Sequence, residues 1–249
     1  MDYPSFWVET EHLRRSLQAL EGKVAWSGEL LGKPYVFKDR EHAGQLLAQL
    51  VLKDEKFRGD LVLAIPNGGI PVGVVLAESL GLKFDLAICR KLQIPWNPEA
   101  GFGAVAPDGT LVLNFELLRS LKLSSEVVEK QRLKALESVR EREKALRVGR
   151  RPLRLEGLRV VLVDDGLASG YTMLAAIRYA YNLKASKVYV AVPTASPEAL
   201  WKVVEEVEKV YCPNVRSSLL GFAVADAYQN WHDLEDEEAL RWLRRVWKA

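Results

Sequence analysis

Val160 to Thr172 reads VVLVDDGLASGYT, an apolar run broken by two aspartates and followed by small residues. Leu158 to Val163 is long enough for a buried parallel strand, and it stops at two adjacent carboxylates, Asp164 and Asp165. Unpaired aspartates are too costly for an apolar core, so the strand must end there, with both carboxylates at its carboxyl edge. A loop of small residues follows, Gly166, Ala168, Ser169 and Gly170, and a helix opens near Tyr171 and Thr172. Backbone N–H groups at a helix start, with the Ser169 and Thr172 hydroxyls, suit a phosphate, whereas the aspartates suit sugar hydroxyls or a cation-bearing ligand.

Working outward, the segments on both sides repeat a strand-then-helix rhythm. Leu61 to Ile65 reads as a strand, followed by Pro66-Asn67-Gly68-Gly69 and a helix through Leu80. Consecutive glycines after a strand allow positive φ or close approach of the backbone to a ligand. Phe84 to Cys89 is the next strand, stopped by Arg90 and Lys91. A long turn-rich stretch then carries Pro95, Pro98, Gly101, Gly103, Pro107 and Gly109 before a strand at Thr110 to Leu113, the pattern of a functional loop such as a lid. Beyond the central motif, Met173 to Leu183 reads as a helix, Lys187 to Val192 as a strand, Pro197 to Glu208 as a helix and Lys209 to Cys212 as a short strand. Pro193 and Thr194 end the Lys187 to Val192 strand on the same edge as Asp164, and so Thr194 and Ser196 are expected to line the site. The alternation predicts an α/β fold: a doubly wound, mainly parallel sheet flanked by helices, with its ligand at the carboxyl ends of the strands.

The acidic pair followed by the small-residue loop resembles the phosphoribosyl-pyrophosphate (PRPP) binding motif of the type I phosphoribosyltransferases. Metal-binding receiver domains also end a strand in Asp-Asp, but without the loop that follows here. The resemblance covers roughly residues 37–211 and is nearest to bacterial and archaeal phosphoribosyltransferase-like proteins of unassigned substrate. It implies that Asp164 and Asp165 hold the ribose hydroxyls and offset charge on the ribose, and that Ala168, Ser169, Gly170, Tyr171 and Thr172 cradle the 5′-phosphate. It also implies that Asn67, Gly68 and Gly69 wrap the pyrophosphate beside a non-proline cis peptide near Pro66 or Asn67. Asn67 stands where related sequences often carry Arg, and an amide supplies neither the charge nor the fork of a guanidinium. Arg90 and Lys91 either neutralise the departing pyrophosphate or only terminate their strand.

The implied reaction moves 5-phosphoribose from PRPP to a nitrogen nucleophile, such as a nucleobase, and releases pyrophosphate. Mg²⁺ would be carried mainly by PRPP itself, with no dedicated protein metal ligands. The alternative is a non-catalytic PRPP-sensing regulator. Three segments follow from this reading: an N-terminal extension over 1–36, a core over 37–213, and a C-terminal segment over 214–249 able to form a small hood. In that last segment Leu219 to Val224 reads as a strand, and Asp226, Tyr228, Trp231, His232 and Asp233 either recognise a heterocycle or pack the C-terminal helix on the core.

Other segments read more plainly. Lys38 to Leu52 is an amphipathic helix with Asp39 as N-cap, and Arg40 and His42 are expected on its exposed side. Leu123 to Val148 is a long helix whose later half is charged on most faces, as a solvated helix would be. Lys33 to Phe37 is a candidate short strand. Tyr3, Phe6, Trp7 and Trp26 read as packing onto the core or onto a second subunit, so a homodimer stays open.

Charge and composition bound the partners. Lys plus Arg number 35 and Asp plus Glu 33 in 249 residues, so the net charge of +2 marks neither a nucleic-acid nor a membrane binder. The N-terminus MDYPSFWVETEH lacks a basic region followed by an apolar run, and the only 2 cysteines, Cys89 and Cys212, lie in apolar surroundings. Both features predict a cytoplasmic protein with reduced thiols.

Overall fold

In the computed structural model, residues 3–20, 22–217 and 222–247 are described. The chain opens with helix α1 (Tyr3–Gln18) and the two-residue strand β1 (Val24–Ala25), then enters helix α2 (Arg40–Leu52). Asp39 caps α2 by accepting a hydrogen bond from the backbone N–H of His42 at 2.9 Å. Strand β2 (Leu61–Ala64) and helix α3 (Gly69–Leu80) form the first strand-helix unit, and strand β3 (Lys83–Leu86) follows. Next come strands β4 (Arg90–Ile94), β5 (Asn97–Val105) and β6 (Leu111–Leu113), then helices α4 (Phe115–Ser120) and α5 (Ser125–Leu146). The second half alternates strand β7 (Arg159–Val163), helix α6 (Tyr171–Asn182), strand β8 (Lys187–Ala191), the short β9 (Thr194–Ala195), helix α7 (Pro197–Val204), and strands β10 (Lys209–Tyr211) and β11 (Asn214–Val215). A 3₁₀ turn at Val224–Ala227 and helix α8 (Asp236–Trp247) complete it.

The central sheet has 6 parallel strands in the order β1-β10-β8-β7-β2-β3. All four residues of β2 are buried, as are Val160 to Val163 of β7, because helices cover both faces of the sheet. From β2 the chain steps outward to β3, and from β7 it steps the other way to β8. The direction of winding therefore reverses between β2 and β7, and a crevice opens at the carboxyl ends of those two neighbours, where open α/β sheets bind ligands. The loops after them are Pro66 to Gly68 and Asp164 to Gly170, so the topology brings together the two segments singled out in the sequence.

Two expectations about this architecture are corrected. The turn-rich stretch after Cys89 is not an open loop: β4, β5 and β6 make a 3-stranded antiparallel sheet. Gly101 and Gly103 serve close strand approach, since a Cβ on Gly103 would run into the Val112 carbonyl oxygen, whereas Gly109 does turn, at φ 87°; Leu92 and Phe102 are fully buried. The short-strand candidate at Lys33 to Phe37 shrinks to one bridge between Phe37 and Tyr228, and β1 forms an edge of the central sheet. Half of the strand expected over Leu219 to Val224, residues 219–221, lies outside the described residues; Phe222 and Ala223 are in no strand and Val224 begins the 3₁₀ turn.

Helix α5 begins at Ser124, which caps it, and lays Ala135, Val139 and Leu146 against the core. Its charged later half is less solvated than its composition suggests: Arg147 donates to both oxygens of Asp85 at 2.9 and 3.1 Å and is only 9% exposed. That pair pins the end of α5 to β3.

Candidate functional site

A cavity of about 310 Å³ opens at the carboxyl end of β7, lined by Asp164, the loop from Gly166 to Met173, Lys91, Gly101, Gly103 and Val224. The loop owes its shape to three supports. Gly170 adopts φ 83° at the start of α6, a conformation suited to glycine, and the first residues of the helix, Tyr171 to Met173, line the cavity with no side chain capping their N–H groups. Leu167 bonds through its N–H to the Thr194 carbonyl and through its carbonyl to the Ser196 N–H, both at 2.9 Å. The Ser196 hydroxyl donates to the Ala168 carbonyl at 2.8 Å while capping α7. Thr194 and Ser196, expected to line the site, are buried beneath it: Thr194 donates to Asn214 at 2.7 Å and Ser196 holds the loop. Their place is second to the ligand because β9 runs under the loop, pairing with β11.

The two aspartates face different surroundings. Asp164 points to the cavity and takes a hydrogen bond from the Asp165 N–H on Oδ1 at 2.9 Å. Burial, and then the neighbouring Asp165 charge, push its carboxyl well above the usual carboxylate range. Asp165 instead turns toward Arg40, whose Nε donates to Oδ2 at 3.0 Å. Arg40 was expected to be exposed; it is 6% exposed, because it is the counter-ion of a carboxylate that the strand end carries inside. The same guanidinium donates to the His232 carbonyl at 2.9 Å and stacks on Trp231 at 4.0 Å. Tyr228 is buried against Phe37 and donates its hydroxyl to the Asp165 carbonyl at 2.6 Å. The aromatic residues of the C-terminal segment therefore pack, with Trp231 and Tyr228 engaged by Arg40 and Asp165. His42 is half-buried, and its Nδ1 accepts the Lys38 N–H at 3.1 Å.

On the other side of the crevice the peptide between Pro66 and Asn67 is cis, as the resemblance implies. Gly68 and Gly69 pack on the acidic pair so closely that a Cβ on Gly68 would overlap the Asp165 carboxylate, and one on Gly69 would lie 2.8 Å from the Val163 carbonyl oxygen. The Asn67 amide is held at both ends. Its nitrogen donates to the Leu234 carbonyl and to Asp236 Oδ1, each at 2.8 Å, and its oxygen accepts from Arg142 Nη1 at 2.5 Å. Arg142 also pairs with Asp236 at 3.3 Å. Arg90 lies close to both: burial and then the Arg142 charge lower its pKa, while Asp236 raises it. Lys91 lines the main cavity, and Arg90 a smaller one that it shares with Lys91 and Lys134 between β4 and α5.

The cavity thus gathers Asp164, Lys91 and Ala168 to Thr172 around one space. Asp165, Gly68 and Gly69 pack beside Asp164 without lining the cavity, and neither Asn67 nor Arg90 lines it. Reading the sequence missed Arg40 and Arg142. Arg40 left a trace, since a cation in the first turn of a helix opposes the helix dipole and calls for another reason to be there. Arg142 left none among the many charges of α5. No group of three or more His, Cys, Asp or Glu among the described residues could hold a metal ion. No helix of the described residues is long and apolar enough to cross a membrane.

A family model for the phosphoribosyl transferase domain matches residues 40–223. Proteins from two strains of Mycobacterium tuberculosis, CDC 1551 / Oshkosh and ATCC 25618 / H37Rv, each provisionally named a phosphoribosyl transferase, are 35% identical over 211 residues, 85% of this chain and 47% of theirs. The chain therefore spans about half the length of these curated relatives. A crystallised protein of Thermus thermophilus superposes with a TM-score of 0.67 and 34% identity, covering 84% of this chain and 98% of its own.

Proposed function

Because this chain belongs to the phosphoribosyl transferase domain family, we propose that it transfers 5-phosphoribose from PRPP to a nitrogen nucleophile, a nucleobase in its simplest form. The bond between ribose C1 and the pyrophosphate oxygen breaks, and its electron pair leaves with pyrophosphate. A bond forms between C1 and the acceptor nitrogen, which gives up its proton. One observation carries the reading: the cavity at the winding reversal is lined by the Asp164 carboxylate, by a helix-start loop of backbone donors and by Lys91.

Each residue has a task in this reaction. N–H groups of Ala168 to Thr172, with the Ser169 and Thr172 hydroxyls, hold the 5′-phosphate. Asp164 accepts from ribose hydroxyls, and its carboxylate offsets positive charge growing on the ribose. Asp165, fixed by Arg40, contributes charge from behind. Lys91 receives negative charge on the leaving group. A divalent cation such as Mg²⁺ would supply further charge neutralisation on the pyrophosphate, and Asp164 is the carboxylate of the cavity able to touch it; the remaining ligands would be PRPP oxygens and water.

The test is incubation with PRPP, Mg²⁺ and a panel of purines, pyrimidines and amines, with pyrophosphate release as readout. Release dependent on one acceptor is expected. PRPP binding without release for any acceptor would replace the enzyme by a PRPP sensor, and that second reading draws on the C-terminal segment already bonded to Asn67 and Arg40.

A further inference from the structure

We infer that Arg142 is a pyrophosphate-binding residue of this chain, and that the Asp236 carboxylate occupies its place as an internal competitor that the ligand displaces. The inference rests on the PRPP reading above and extends it to the side of the crevice where the sequence carries an amide, Asn67. Asp236 Oδ1 sits where an anion's oxygen would, receiving the Asn67 Nδ2–H at 2.8 Å and facing Arg142 Nη1 at 3.3 Å. Asn67 directly precedes Gly68 and Gly69, which press against the acidic pair, so this carboxylate is bonded to the same loop that abuts Asp164 and Asp165.

The local charge is unbalanced in favour of an incoming anion. Arg142 pairs with Asp236, and Arg90 lines a small cavity against α5 together with Ser138, one turn before Arg142, so a second guanidinium borders the same carboxylate. Two guanidiniums against a single carboxylate leave an excess of positive charge in a partly buried place, with Arg142 only 23% exposed. A pyrophosphate carries more negative charge than a carboxylate and presents oxygens to a guanidinium fork. Asp236 is the easier of the two to move. It is 49% exposed and opens helix α8, so a small retreat of the first turn frees Arg142 while the helix keeps its Arg245 pairs with Glu78 and Glu41. The guanidinium lacking at position 67 is then supplied from α5, through space, by a side chain already bonded to the Asn67 oxygen.

The experiment is calorimetric titration of the full chain and its variants with inorganic pyrophosphate and, separately, with ribose 5-phosphate, both with Mg²⁺. Asp236→Asn is expected to tighten pyrophosphate at least threefold and Arg142→Gln to weaken it at least tenfold, with ribose 5-phosphate affinity unchanged in both. In the double variant the gain from Asp236→Asn should vanish. Arg142→Lys keeps the charge and should retain binding between the two, which preserves the test if Arg142→Gln fails to fold. Unchanged or weaker pyrophosphate binding in Asp236→Asn, or unchanged binding in Arg142→Gln, overturns the inference while ribose 5-phosphate still binds. Failure of the wild-type chain to bind either ligand sinks the PRPP reading itself, a distinguishable result.

Discussion

Asp164 is held in a state that opposes stability, and this makes it testable apart from any substrate. Its folded pKa is raised above the ordinary carboxylate value by burial and by Asp165. A raised carboxylate binds its proton more tightly in the folded than in the unfolded chain. Stability is therefore highest below the ordinary pKa and declines as pH rises through the folded value. Asp164→Asn should accordingly melt higher than the wild type at neutral pH and match it near pH 3, while losing PRPP binding. The Asn oxygen can still accept the Asp165 N–H, so the loop keeps its anchor. Thermal melts across pH 3 to 8 check this, and a lower melting point at neutral pH would contradict it. Arg40 predicts the opposite sign. Its removal strands the Asp165 carboxylate and frees the Trp231 face, so Arg40→Ala should cost about 3 kcal/mol in urea unfolding.

Among elements, the three antiparallel strands β4 to β6 show how the sequence misleads. Their glycines and prolines are turn formers by composition, yet Gly103 faces the Val112 carbonyl across the β5–β6 pair and no larger residue fits there. Gly103→Ala should destabilise by about 1–3 kcal/mol, whereas Gly28→Ala, whose added carbon meets only side chains at 3.6 and 3.8 Å, should be nearly neutral. Equal urea midpoints for the two would contradict this. The parallel strands were legible because burial on both faces leaves a continuous apolar run, as at Leu61 to Ala64 and Val160 to Val163. The loop after β7 was legible because carboxylates and small residues together have few structural reasons to end a strand. Arg40, Arg142 and Arg147 were not, since a paired buried arginine and a solvated one look alike in sequence, and only distance to Asp165, Asp236 or Asp85 separates them.

The molecule as a whole closes through its N-terminal segment, which the sequence suggests as an extension over residues 1–36. Strand β1 pairs with β10 and so covers the edge of the central sheet. Leu13, Leu17 and Leu31 are at most 5% exposed and join the same apolar cluster as β7, β8 and α6. The Asn214 side chain donates to the Leu30 and Lys33 carbonyls at 2.6 and 3.0 Å, and the same Asn214 accepts from Thr194 beneath the loop that follows β7. The segment is thus tied to the floor of the site as well as to the sheet. Burying three leucines contributes about 5–9 kcal/mol, comparable with the whole stability of an ordinary domain. Removing residues 1–36 uncovers those positions, a parallel-strand edge and the Asn214 amide together, so the remaining chain should lose its cooperative melt and aggregate. Soluble yield and a thermal scan of the truncated chain measure this. A truncated chain that melts within a few degrees of the full one would show that residues 37–249 form the folding unit alone, and that β1 only decorates its edge.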